Sequence, residues 1–215
     1  MFIKLSKSIA TVFVIAGAVS GSAAYANDSA HSENHFAGAY AIVSGEWGSS
    51  NTSVSGNNQS FSNISKSEFS PTISLGYAIP IDSHWLVGLQ ANYELKNGEF
   101  GNGTSENQNI SIEQKNHYSL AVEPGYALND HTLLFGILAY HSTKATLDAT
   151  GEPNEAQGSA TLHGIGYGLG AKYSFSGHIL GAVDFQRINY NSATIQGYNI
   201  KPSTNAVALG VGYHF

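Results

Sequence analysis

From about position 35 onward, apolar and polar residues alternate with a period of two, the pattern of β-strands that have one greasy and one polar side. In 69–79, Phe69, Pro71, Ile73, Leu75, Tyr77 and Ile79 share one face, against Ser70, Thr72, Ser74, Gly76 and Ala78. The next run sets Trp85, Val87, Leu89, Ala91, Tyr93 and Leu95 against Gly88, Gln90, Asn92, Glu94 and Lys96. From 115 the parity switches: Tyr118, Leu120, Val122, Pro124, Tyr126 and Leu128 oppose Lys115, His117, Ser119, Ala121, Glu123 and Gly125. In 161–175 an apolar face from His163 to Phe175 opposes Gly164, Gly166, Gly168, Gly170, Lys172 and Ser174. The last run sets Val207, Leu209, Val211, Tyr213 and Phe215 against Ala206, Ala208, Gly210, Gly212 and His214. Three weaker runs complete a set of eight strands. Phe36 to Trp47 has small residues on both faces, and 133–140 has an inner face that is partly apolar. The run from Ile179 loses its phase near Gln186 and Arg187, which predicts a β-bulge there.

The connectors alternate too. Pro80 to His84, Asn129 to His131 and Ser176-Gly177 read as tight turns, whereas 48–66, 97–113, 147–160 and 190–204 are long polar stretches rich in Asn, Ser, Gly and Thr, read as mobile loops. No segment has a helical period. The prediction is an all-β fold, an eight-stranded antiparallel up-and-down barrel.

Composition decides what surrounds it. Only 11% of the 215 residues are charged, too few to cover a soluble surface easily. A net charge of -6 argues against binding nucleic acid, and the absence of cysteine excludes disulfides and thiolate sites. At the N-terminus, Lys4 and Lys7 precede an apolar run from Ile9 to Val19, followed by Ala24-Tyr25-Ala26. Residues 1–26 therefore read as a secretory signal peptide cleaved after Ala26, leaving 27–215 as one barrel domain. No later segment could cross a bilayer as a helix.

An eight-stranded barrel either encloses a ligand in an apolar interior, as a soluble lipocalin-like periplasmic binder does, or turns its apolar face to lipid. Small residues on the polar faces suit a crowded lumen, aromatics at the ends of the apolar faces suit two interfacial girdles, and the long/short connector asymmetry suits external loops and periplasmic turns. The transmembrane barrel is the better reading. Its expected lumen polar network comprises Glu68, Gln90, Asn92, Glu94, Lys96, Lys115, His117, Glu123, Lys172 and Asp184, nearly balanced in charge and so suited to a salt-bridged plug.

The glycine-alternating run 164–173 and the ending Val207 to Phe215 resemble small Gram-negative outer-membrane barrels of the OmpA-like and opacity-like group, loosely termed a porin family. The resemblance implies an outer-membrane location among membrane lipids. It also implies that Leu209, Val211, Tyr213 and Phe215 form the terminal signal read by the barrel assembly machinery. The function it implies is surface interaction, as adhesion or binding of a host or matrix ligand through four external loops, or structural support of the envelope.

Other chemistries are weaker. A narrow passive channel is the alternative, and a lipid A-modifying barrel enzyme stands behind it. The nearest local nucleophile–base candidate, His141 with Thr143, matches no motif of the lipid A-modifying barrels and reads as strand rim, so no catalytic residue is assigned. Nine histidines invite a metal reading, but His31, His35, His84, His131 and His178 fall at ends or turns without ligand spacing; no metal or cofactor is expected.

Overall fold

The computed structural model describes residues 35–56, 59–105, 108–150, 156–195 and 198–215. The predicted signal peptide lies outside the described residues. Those residues form ten strand runs: β1 (Gly38–Gly56), β2 (Gln59–Pro80), β3 (Trp85–Glu94), β4 (Gly98–Ser105), β5 (Gln108–Asn129), β6 (Thr132–Thr150), β7 (Ala156–Ser176), β8 (Ile179–Tyr190), β9 (Ala193–Ile195) and β10 (Tyr198–His214). Every pairing is antiparallel. β3 and β4 both pair with β5 and act as one interrupted strand, as β8 and β9 do against β10. The ring of eight closes where β1 pairs β10 from Tyr40–His214 to Ser55–Asn199.

In the membrane band closure leaves no free edge, and it leaves two surfaces of opposite polarity; beyond it, among the described residues, β4 ladders only with β5 and β9 only with β10. Val43, Leu75, Leu89, Leu120, Leu138, Leu169, Leu209 and Val211 are all at least half exposed on the outside. This apolar band is bounded at one end by Trp47, Phe69, Tyr93, Tyr118 and Tyr140 and at the other by Tyr77, Trp85, Tyr126, Tyr173 and Tyr213. From Phe69 to Tyr77, Trp85 to Tyr93 and Tyr118 to Tyr126 it covers nine residues of a strand, within the roughly 9–11 a tilted strand needs to cross a bilayer. The short turns at 81–84, 130–131 and 177–178 lie at the second end, where β1 begins and β10 ends.

Two sequence expectations need correction. The stretches 48–66, 97–113, 147–160 and 190–204 are for the most part not loops but ladder-paired extensions of the strands. Beyond the first girdle the wall keeps its phase and inverts its polarity. On β6, Ala145 and Leu147 are buried inside while Lys144 and Asp148 face out; on β7, Leu162 is buried while Thr161 and Gln157 face out. The same inversion explains β8, where no bulge occurs: its register with β7 and β10 runs unbroken through Gln186 and Arg187. Gln186 lies inside the membrane band and Ile188 inside the extension, so the apolar positions change sides while the backbone does not slip.

A bulge is found in β5 instead. Asn116 adopts φ 53, the left-handed conformation that Asn tolerates better than most residues, and the register to β6 shifts between Lys115 and Tyr118. Below it His117, Ser119, Ala121 and Glu123 point inward; above it Ile112 and Gln114 do.

Candidate functional site: the barrel interior

The interior is stacked in layers. At the end with the short turns Phe36, Tyr40, Ile42, Ala78, Leu86, Ala127, Leu133 and Leu180 form a buried apolar floor. Immediately above it Lys172 Nζ lies 2.6 Å from Glu123 Oε2, and it donates to Tyr40 Oη at 3.0 Å. Tyr40 Oη itself donates to Glu123 at 3.1 Å. The ammonium also sits 4.2 Å from the centre of the Tyr40 ring and 4.6 Å from that of Phe135, so its unpaired side faces π-density. Glycine makes this possible: a Cβ at Gly76 would overlap the Tyr40 ring, so β2 must be bare where that ring lies against it.

A second polar layer crosses the barrel higher up. Glu94 binds His117 Nδ1, His117 Nε2 lies 2.9 Å from His141 Nδ1, and His141 Nε2 lies 2.6 Å from Gln186 Oε1. With the amide oxygen accepting, His141 carries its proton on Nε2 and must accept at Nδ1. His117 then donates from Nε2, and its Nδ1 faces the Glu94 carboxyl group. Tyr190 Oη stands 3.3 Å from His117 Nε2, and Gly166 leaves room for His141 and Gln186. Every member of the relay is occupied by the next.

Above it the strand extensions close the barrel with Val54, Phe100, Ile112, Ala145, Leu147, Leu162, Ile188, Tyr190, Ile195 and Ile200, a buried apolar cap. Phe100, Ile112, Leu147, Leu162 and Ile200 are 0% exposed. Between floor and cap a cavity lined among others by Glu46, Thr72, Gln90, Glu94, His141 and Asp184 has a volume of about 50 Å³, room for a few water molecules.

A family model for the outer membrane protein beta-barrel domain matches residues 11–215. The chain belongs to that family. As an outer-membrane barrel it is similar among solved structures to Ail, the attachment invasion locus protein of Yersinia pestis, at 17% identity over 83% of this chain and 99% of that one, with a TM-score of 0.44. It is also similar to OprG of Pseudomonas aeruginosa, at 15% identity over 85% and 98% of the two chains, with a TM-score of 0.48. Neisserial surface protein A shares 13% identity over 83% and 99%, with a TM-score of 0.46. No curated protein sequence matches the chain.

Within the outer-membrane barrel the residues expected in the lumen divide into two groups. Gln90, Asn92, Glu94, His117, Glu123, Lys172 and Asp184 lie inside the membrane band, and Gln90 donates to Asn92, which donates to Ser119. Glu68, Lys96 and Lys115 lie higher. Lys96, in the break between β3 and β4, is half exposed and binds Glu68 at 2.8 Å, while Glu68 also accepts from the Glu99 backbone. Lys115 is not a lumen residue: the Asn116 bulge turns it outward, where it pairs with Glu113 at 2.6 Å. The interior is therefore not charge-balanced, because Lys96 and Lys115 are outside it and Glu46 is added.

Sequence reasoning missed Glu46, Tyr40, His141, Gln186 and Tyr190 as interior groups. Parity opposite Trp47 was the available signal for Glu46. His141 and Thr143 are not on an exposed rim: both are buried, and Thr143 Oγ1 donates to the Lys115 carbonyl at 3.1 Å while both His141 nitrogens are engaged elsewhere. They do not form a nucleophile–base pair. At the chain end, Tyr213 and Phe215 meet edge-on at 5.2 Å on the outer face, and the Phe215 backbone N–H donates to the Ala39 carbonyl at 2.9 Å. Among the described residues no group of three or more His, Asp or Glu is placed to hold a metal ion.

Proposed function

We propose that this outer-membrane barrel acts at the cell surface, as an adhesive or envelope-supporting protein, through the polar outer wall of its strand extensions. The observation that carries this reading is the closed interior. Among the described residues an apolar floor, two polar layers and an apolar cap leave no solute-sized path, which supports a plugged interior, and a barrel of eight strands has an interior only wide enough for its own side chains. A passive channel would need to displace Phe100, Leu147 and Ile200 at one end and Leu86 and Leu133 at the other.

With the lumen closed and the membrane band committed to lipid, the surface left at the end away from the short turns is the extension. Some ten residues of β6 and β7 rise beyond the girdle, roughly 30 Å along the strand at about 3.3 Å per residue. Their outward side chains include Lys144, Thr146, Asp148, Gln157, Ser159 and Thr161, a polar face held on paired strands and not on a mobile loop. Such a face can present a binding epitope without ordering cost.

Cutting the hairpins back would be a poor test, because it would also remove Leu147 and Leu162 from the cap. Outward substitutions avoid this. Reversing Lys144 and Asp148, or placing bulky residues at Gln157 and Thr161, should leave the heat-modifiable folded form intact and lower attachment of whole cells to host or matrix surfaces. If no outward substitution on any extension alters attachment, serum survival or envelope integrity, the surface reading fails and the search returns to the interior.

A further inference from the structure

The short-turn end repeats one arrangement three times. His84, His131 and His178 each occupy the last position of a turn, directly before the first residue of β3, β6 and β8. Each gives its backbone carbonyl to an N–H on a neighbouring strand: Ala127 to His84 at 2.7 Å, Ser174 to His131 at 2.8 Å and His214 to His178 at 2.8 Å. Each lays its ring on the girdle tyrosine just before that donor. The centroid distances are 5.6 Å to Tyr126, 6.1 Å to Tyr173 and 5.3 Å to Tyr213. All three histidines are exposed.

The hydrogen bonds also select the nitrogen left over. His131 Nδ1 donates to the Ser174 carbonyl at 3.1 Å and His178 Nδ1 to the His214 carbonyl at 3.0 Å, since a carbonyl can only accept. Nε2 is the ring nitrogen left over, and among the described residues it has no hydrogen-bond partner in either ring. His84 Nδ1 lies 2.9 Å from Ser83 Oγ. No Lys or Arg occurs in 35–41, 79–86, 126–133, 174–180 or 212–215, so among the described residues at this end histidine is the side chain that can carry a cationic charge. Facing groups are few. Asp82 lies in the His84 turn with its carboxylate accepting from the His84 and Trp85 N–H groups, Asp130 precedes His131, and His214 stands beside both His178 and His35.

We propose that His84, His131 and His178 form a ring of separate binding positions for the phosphodiester of anionic glycerophospholipids in the periplasmic leaflet, strengthening as the surroundings acidify. Placement argues for lipid. The rings stand where the girdle tyrosines end, at head-group depth, and Trp85 and Phe215 lie exposed on the same rim. A ring with one nitrogen tied to backbone and the other outward binds a phosphate oxygen when protonated, and histidine changes charge between about pH 5 and pH 8. The histidines belong to separate turns and build no metal cluster, which suits one head group each.

Two tryptophans, one on each rim, provide the test. Full-length mature protein carrying Trp47→Phe, so that only Trp85 fluoresces, is folded into vesicles containing brominated phosphatidylglycerol or brominated phosphatidylcholine. Acidifying from about pH 7.5 to about pH 5.5 should raise the preference for phosphatidylglycerol at Trp85 about fivefold, the effect of roughly one charge at a lipid surface. The rise should vanish in H84Q/H131Q/H178Q and be absent at Trp47 in a Trp85→Phe protein. An equal rise at both rims, or one that survives the glutamines, overturns the proposal. Should the triple variant not fold, phosphorus–nitrogen dipolar contacts between lipid and His131 or His178 Nε2 in the unmutated protein decide: present at acid pH they support the ring, absent they overturn it.

Discussion

Lys172 Nζ and Glu123 Oε2 are 2.6 Å apart across the barrel interior, with side chains only 6% and 3% exposed. Their strands, β7 and β5, are not neighbours, so the pair braces the ring across its lumen. Lys172→Met leaves Glu123 buried without its cation and should cost about 3–5 kcal/mol, whereas the double replacement Lys172→Met with Glu123→Leu should recover most of that. Unfolding midpoints of both variants in detergent, followed by the electrophoretic shift between folded and heated forms, check the prediction.

The left-handed backbone at Asn116 sets which side of β5 each residue faces. Asn116→Val should destabilise by about 1–3 kcal/mol, because a β-branched residue fits that conformation poorly, while Asn116→Gly should be close to neutral. Equal effects of the two substitutions would show that the bulge is unimportant.

The expectation that Lys115 shares the lumen with His117 failed because of this one residue. Parity carries a side assignment along a strand only as far as the backbone keeps register. Elsewhere parity served well: in the membrane band lipid and lumen have opposite polarity, so Leu120 and Ser119, or Leu169 and Gly170, announce their sides. Beyond the girdle the outside is water and the inside is an apolar cap, so Lys144 beside Ala145 and Asp148 beside Leu147 carry the reverse code. Sparse apolar positions among Asn, Ser, Gly and Thr look like loop composition unless their spacing of two is followed. The interior network was legible in part. Glu123 and Lys172 sit on long, clean strands, but the joining of His117 to His141 and of His141 to Gln186 depends on registers between β5, β6, β7 and β8 that local alternation does not contain.

The cap predicts large single-site losses. Phe100→Ala or Leu147→Ala removes a side chain that is 0% exposed and should cost about 2–5 kcal/mol. The outward neighbour Asp148→Ala should change stability by less than about 0.5 kcal/mol. Thermal unfolding of the three proteins in the same detergent provides the comparison.

Asp82 makes one periplasmic turn sensitive to acid. Backbone N–H groups of Trp85 and then His84 bind its carboxylate and hold its pKa below the usual 3.8. A carboxyl whose folded pKa is depressed contributes stability that is complete above the unfolded value and is lost as pH falls toward the folded one. Between about pH 6 and pH 3 the unmutated protein should therefore lose more stability than Asp82→Asn, the two curves converging at the acid end. Parallel curves would contradict the assignment.

Phe215 is 71% exposed on the outer face, so little apolar burial within the fold depends on it. If Leu209, Val211, Tyr213 and Phe215 act as the assembly signal, deleting Phe215 should sharply lower the amount of barrel reaching the outer membrane. The same truncated chain, refolded in detergent, should keep its unfolding midpoint within about 1 kcal/mol of the intact protein, the backbone bond to Ala39 being worth about that much. Parallel membrane-level and refolding measurements separate the two effects.

Closure of the interior is tested most directly by planar-bilayer recording of the purified barrel. With floor and cap intact, the protein should show little or no steady conductance in monovalent salt. Frequent, well-defined openings whose ion selectivity changes on Glu46→Lys would contradict the account and make the polar layers the lining of a channel.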